Sequence, residues 1–333
     1  MIKVVYNDIE NIRLKYVDKY NKRIKLGKIY TIIGIIGLIL VTIISLVTLF
    51  FDITYRFGIF MIVFSIPLFA GMVMPFTSSK IKKEYSKEVK VKIIEKMMNK
   101  YYDNVTYVRE EDQTKTIENS RLFSGVIPKA CAEDVISGSY NGIYFKMFDV
   151  EVKRNFTSNT NSSSVTRRLI NNKTNVEDMY ELLFKGQWFS FKLNRKLDTS
   201  ICIKEMIFID EAIKNTLNEV KVESIEFSKK YRAYASNSQH FFYIFTPSMI
   251  EKFIQLDRIC DGQIMFSLNN NIVNIGINNG VDSFELDLFK TVNDENLKKL
   301  EQQISLAAAI IHDFRFDSYK FDKDQNPLTV NRF

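Results

Sequence analysis

Between Ile29 and Phe51 the chain runs for 23 residues without a charged side chain, and five residues later a second uncharged apolar run of 20 residues extends from Phe57 to Phe76. As helices rising about 1.5 Å per residue, each run is roughly 30 Å long or more, which is the thickness of bilayer hydrocarbon. The pattern predicts a transmembrane hairpin over 29–76, with spans at 29–51 and 57–76. A signal peptide fits poorly, because 28 mostly polar residues precede the first run and no small-residue cleavage pattern follows it. A buried pair of core helices fits poorly as well. Such helices keep a polar stripe, and beyond Tyr30 the first run offers only Thr31, Thr42, Ser45 and Thr48.

The flanks set the orientation, since Lys and Arg are retained on the cytoplasmic side. Residues 1–28 and residues 77–100 each carry a net charge of +5, and the intervening 52–56 loop holds one charge of each sign, so both termini are expected in the cytoplasm. Lys22, Arg23, Lys25, Lys28, Lys80, Lys82 and Lys83 stand next to the apolar runs and are the candidate contacts to anionic inner-leaflet lipid. The whole chain is +7, so residues 101–333 are left at −3. That balance argues against nucleic acid as a partner, which needs a basic patch on the folded body. Val5, Ile9, Ile12, Tyr16, Tyr20 and Ile24 recur at helical spacing, as do Ile81, Tyr85, Val89, Ile93, Met97 and Tyr101. The expectation is a helical stalk formed by an amphipathic helix over 1–28 and a second over 77–102, packed antiparallel.

Residues 103–333 read as a cytoplasmic α+β domain, mostly antiparallel β with packed helices. Asn141-Gly142 supplies the positive φ angles of a tight turn between strands at 135–140 and 143–152. After Trp188, Phe189, Phe191 and Leu193 alternate onto one face. Further strands are expected near 220–227, 231–235, 241–245, 264–268, 272–277 and 283–288. A helix starts at Thr246-Pro247-Ser248 and runs to about Asp257, with Ser248 and Glu251 as a capping box. A second runs from Asp294 to Phe314 with Leu297, Leu300, Ile304, Ala308 and Ile311 on one face. The small polar stretch 155–175 reads as a mobile loop, and the tail beyond Lys320 as surface chain.

Chemistry is hard to find. His240, beside Phe241-Phe242, and His312 stand in no motif, and a histidine among aromatics is more often structural than a catalytic base. Cys131, Cys202 and Cys260 have neither disulfide nor zinc spacing and read as reduced thiols. Asp210-Glu211 resembles a strand end able to bind metal, though a solvated pair is the simpler reading. No phosphate loop, HExxH pair or nucleophile elbow is present. The residues therefore name no catalytic site, no metal site and no cofactor.

Three segments, Phe184-Lys185-Gly186-Gln187-Trp188-Phe189, Glu223 to Ser236 and Phe245-Thr246-Pro247-Ser248-Met249-Ile250-Glu251, together resemble the bacterial two-helix membrane-anchored family catalogued as domain of unknown function 3137. In that pattern a Phe-Lys-Gly turn precedes a strand pair with a Ser-x-x-Phe core and a Leu-Thr-Pro helix start; here Phe245 replaces the leucine. The resemblance covers roughly Ile136 to Leu288 and the N-terminal two-helix layout. It implies a multi-pass protein of the cell inner membrane and transfers no catalytic residue. The leading reading is a binding or scaffolding domain for an unknown protein or small ligand, with homo-oligomerisation as an option. The rivals are a signal-gated effector that oligomerises into a pore, and an enzyme with an unfamiliar site around His240 or Asp210 and Glu211.

Overall fold

The computed structural model describes residues 2–48, 57–125, 127, 129–155, 180–206 and 211–321. Two compact units divide the chain, the first Met1–Lys96 with Phe284–Leu300 and the second Met97–Ser283 with Glu301–Phe333.

In the first unit α1 (Ile2–Thr48) and α2 (Phe57–Ile93) pair antiparallel. Lys96 meets Asp8, Lys15 meets Glu88 at 3.2 Å, Lys19 meets Glu84 at 2.6 Å, and Gly71 lies against Thr31. Ile9 and Tyr16, seven residues apart on α1, and Ile81, Tyr85, Val89 and Ile93, in four-residue steps on α2, are buried along the seam, spacings that return each side chain to one helix face. The Tyr16 hydroxyl donates to Glu88 at 2.7 Å, and its ring lies 5.9 Å from that of Tyr85. The 284–300 segment is held to this pair by polar contacts. Lys90 is buried against Glu285 at 2.6 Å, and Arg13 donates to the Leu288 carbonyl at 3.3 Å. Arg13 also donates through Nε to Glu10 at 2.9 Å, and that bond holds the Glu10 carboxyl below its usual range although burial opposes the shift.

Here the transmembrane expectation is corrected. Among the described residues no helix is long and apolar enough to cross a membrane. The apolar runs do not stand as separate spans: each continues without a break into a charged stretch of the same helix, and residues 49–56, which would join the spans, lie outside the described residues. The multi-pass inner-membrane placement with both termini cytoplasmic rested on the same hairpin and falls with it.

The second unit is built on one nine-stranded sheet. Its strands are β1 (Asp103–Asp112), β2 (Cys131–Tyr140), β3 (Ile143–Asn155), β4 (Tyr180–Lys192), β5 (Ser200–Glu205), β6 (Asn218–Val220), β7 (Tyr231–Ala235), β8 (Gln263–Asn269) and β9 (Ile272–Asn278). The spatial order is β1-β2-β3-β4-β9-β8-β5-β7-β6, and every pairing is antiparallel. The architecture is α+β. Asn141 (φ 49°) and Gly142 (φ 76°) form the two-residue turn between β2 and β3, the left-handed pair that matches strand twist.

Apolar cover lies on both faces. On one, Val135, Phe148, Phe184 and Trp188 pack with Ile117 of α3 (Thr114–Ser120) and Ile213 of α4 (Glu211–Thr216). On the other, Phe145 meets Tyr102 at 4.5 Å, Phe191 meets Phe316 at 5.4 Å, and Phe266 meets Phe245 at 4.8 Å between ring centroids. Each such aromatic, fully buried, stabilises the fold by about 1.5–3 kcal/mol relative to exposure. Leu297, Leu300, Ile304, Ala308 and Ile311 are all buried on the helix at Asp294–Asp313, whose residues from Glu301 onward belong to this unit.

Several expected strands are helices. At 220–227 the strand ends at Val220 and α5 (Ile225–Lys230) follows, because Ser224 caps it by accepting from the Phe227 N–H at 3.3 Å. At 241–245 the chain forms α6 (Ser238–Ile244), capped by Asn237, whose side chain accepts from the N–H groups of Gln239 at 2.9 Å and His240 at 3.1 Å. The helix α7 (Pro247–Ile259) starts after Thr246, with Pro at its first turn and no side-chain cap, so the Ser248–Glu251 capping box does not form. At 283–288 there is no strand, because Phe284 takes φ 61° and the preceding Ser283 is bonded to Asp149. The 155–175 loop from Phe156 onward and the tail from Asp322 lie outside the described residues.

Between Glu133 and Ile136, β2 carries one residue more than β3 does opposite it, and Asp134 sits in this bulge at φ 54°. Its buried carboxylate accepts from the Tyr107 hydroxyl at 2.7 Å. Asp134→Ala and Asp134→Gly both lose that bond, but only alanine strains the left-handed backbone. Denaturant unfolding should show the alanine variant less stable than the glycine variant by about 1 kcal/mol.

Candidate functional site

Gly186 is the residue that shapes a concavity of the second unit. It lies inside β4 at φ 151°, and a Cβ there would fall 2.2 Å from the Ile277 carbonyl oxygen and 2.9 Å from Asn279 Oδ1. Only glycine admits so close an approach. The end of β9 therefore lies directly on β4: the Lys185 N–H donates to Asn278 Oδ1 at 3.0 Å, and the Gly280 N–H donates to the Lys185 carbonyl at 2.9 Å. Phe184-Lys185-Gly186 is thus strand, and the turn implied for it by family resemblance is corrected.

The 279–283 segment, turned back by this contact, brings Asp282 and Ser283 over the sheet. The buried Asp149 of β3 accepts from both the N–H and the hydroxyl of Ser283, the latter at 2.8 Å. A cleft of about 140 Å³ results, lined by the carboxylates of Glu133, Asp149, Glu151 and Asp282 with Lys185, Gly186, Val150 and the exposed Cys131. Glu133 stands directly opposite Asp149 across β2 and β3, a like-charge juxtaposition that costs stability. Glu151 lies 2.7 Å from Lys153 and 3.7 Å from Lys185; the bond to Lys153 keeps its carboxyl below the usual range against burial. Its negative charge therefore persists to lower pH than that of a free glutamate. Next to Asp149 in register, Gln187 is buried and its amide nitrogen has no hydrogen-bond partner.

Such a cleft attracts cations. Among the described residues no three His, Cys, Asp or Glu side chains converge closely enough to hold a metal ion.

The sites expected from sequence lie elsewhere. Lys22, Lys25, Lys28, Lys80, Lys82 and Lys83 are exposed and Arg23 is half-buried on the paired helices of the first unit. The contacts Lys19–Glu84 and Thr31–Gly71 bracket all seven, so the antiparallel register gathers both groups at one level of the pair. Lys22 is 2.7 Å from Asp18, and Lys82 stands over the Phe289 ring at 5.0 Å. His240 is half-buried at the start of α6 rather than at a strand end, and His312 is exposed 3.5 Å from Asp313. Asp210 lies outside the described residues. Cys202 is buried, and burial pushes the Cys260 thiol up to about 11. The cleft carboxylates belong to no motif; a glycine within an alternating strand was the one local signal.

The fold and cleft define an α+β domain on an antiparallel sheet with a carboxylate-lined depression. Residues 182–316 match the model of a family described as a protein of unknown function, DUF3137. The match contains Lys185, Gly186, Asp282 and Ser283 and does not reach α1 or α2. No curated protein matches the chain. Among solved structures, the crystal structure of the mycobacterial trehalose monomycolate transport factor A is 11% identical, covers 61% of this chain and 86% of its own, and superposes with a TM-score of 0.32.

The glycine gives a direct test of how the cleft is built. Gly186→Ala should destabilise the protein by roughly 2–4 kcal/mol, combining overpacking with backbone strain. Denaturant unfolding checks the loss, and hydrogen exchange should show faster opening at Gly280 than in β2.

Proposed function

We propose that this protein is a binding module whose sheet-side cleft receives a cationic group, such as a lysine or arginine side chain of a partner or a small amine. The observation that carries the reading is the convergence of Glu133, Asp149, Glu151 and Asp282 on a concavity with Lys185 as the one lining cation. Ser283 fixes the Asp149 carboxylate from two directions, so an incoming cation meets a preset acceptor rather than a side chain it must first order. A hydrogen bond to a charged group contributes about 1.5–3 kcal/mol, and two or three of them suffice for a specific but reversible contact.

Calorimetric or NMR titration of the full chain with short arginine-containing and lysine-containing peptides, beside their citrulline and norleucine counterparts, tests this directly. Saturable binding of the cationic forms alone is expected. Glu133→Gln or Asp282→Asn should weaken it by roughly tenfold, about 1.4 kcal/mol. Equal binding of charged and uncharged peptides would refute the reading.

A further inference from the structure

The first unit carries a surface that its own fold leaves uncovered. Ile32, Ile36, Ile39 and Ile43 on α1 and Ile66 and Phe69 on α2 are each more than half exposed, Ile36 at 53% and Phe69 at 69%. Because the helices are antiparallel, these residues share one stretch of the pair. A contiguous apolar surface of this kind marks a contact with protein or membrane.

What adjoins it selects between the two. The seven cations at 22–28 and 80–83 lie together at one end of the apolar stretch, on both helices. Tyr30, 39% exposed, sits at the boundary between Lys28 and Ile32. The order along the pair is cation, amphipathic aromatic, hydrocarbon, which is the order of groups that a lipid headgroup layer and its acyl region accept. We infer that this part of the helix pair docks on an anionic lipid surface, with the basic collar at the phosphates and the exposed isoleucines against acyl chains. Contact of this kind needs no helix to pass through the bilayer. It is independent of the carboxylate cleft.

Flotation of the full chain with vesicles of phosphatidylcholine, alone or mixed with phosphatidylglycerol, reads the inference. The chain should float with the mixed vesicles, and less so as salt is raised. Replacing the exposed Lys25, Lys28, Lys80 and Lys83 by Gln, which leaves the Lys22–Asp18 pair and the Lys82–Phe289 contact intact, should lower partition about fivefold for each lysine that reaches the surface. Ile36→Ser with Phe69→Ser should lower partition to both vesicle types with an unchanged circular dichroism spectrum. Failure to float with either vesicle, or flotation indifferent to phosphatidylglycerol and to the lysine changes, would overturn it. So would a stable homo-oligomer that shields Ile36 and Phe69 and leaves no lipid binding.

Discussion

The pairing of β4 with β9 holds the sheet together. On one side of it lies the β1-to-β4 meander, on the other the β8, β5, β7 and β6 strands, and the register from Gln187↔Ile277 to Lys192↔Ile272 is the seam that joins them. Two glycines make this seam possible. Gly186 lets the end of β9 approach, and Gly276 lies beneath Trp188, where a Cβ would meet the indole at 3.0 Å. The indole fills the space that a side chain on β9 would occupy. Core packing, sheet continuity and the form of the cleft therefore depend on the same few contacts.

The parts legible in the sequence were those whose signal is local. Asn141-Gly142 announces its turn because few residue pairs adopt two positive φ angles in succession, and the period of Leu297 to Ile311 announces its helix. What was not legible depends on competition or on distance. Ser224 and Asn237 convert apolar, aromatic segments that look like strands into short helices by offering their side chains to orphan N–H groups. β1, Asp103–Asp112, carries no such signal, because an edge strand with charged residues lacks the alternation that marks a half-buried one. The cleft could not be read at all. Asp149 and Ser283 are separated by 134 residues, and no spacing rule links them.

The apolar runs teach a different lesson. Read as isolated windows they imply two spans, whereas the helices that contain them extend far into charged sequence on one side. The charge arithmetic retains its physical content: the basic excess belongs to α1 and α2 and is gathered there by the antiparallel register. The sheet unit is close to neutral overall, and four of its carboxylates are gathered in one cleft.

The β4–β9 seam also has a kinetic side. The β2–β3 and β8–β9 hairpins close over a few residues, but Gln187 must find Ile277 across about 90 residues of chain, and loop closure over such a span precedes any stabilising contact. Order in time follows from order in sequence: hairpins first, their docking last. Until the docking step Trp188 and the apolar faces of β8 and β9 lack their cover, so the slow step of folding is also the interval in which this chain is most open to association with its own copies.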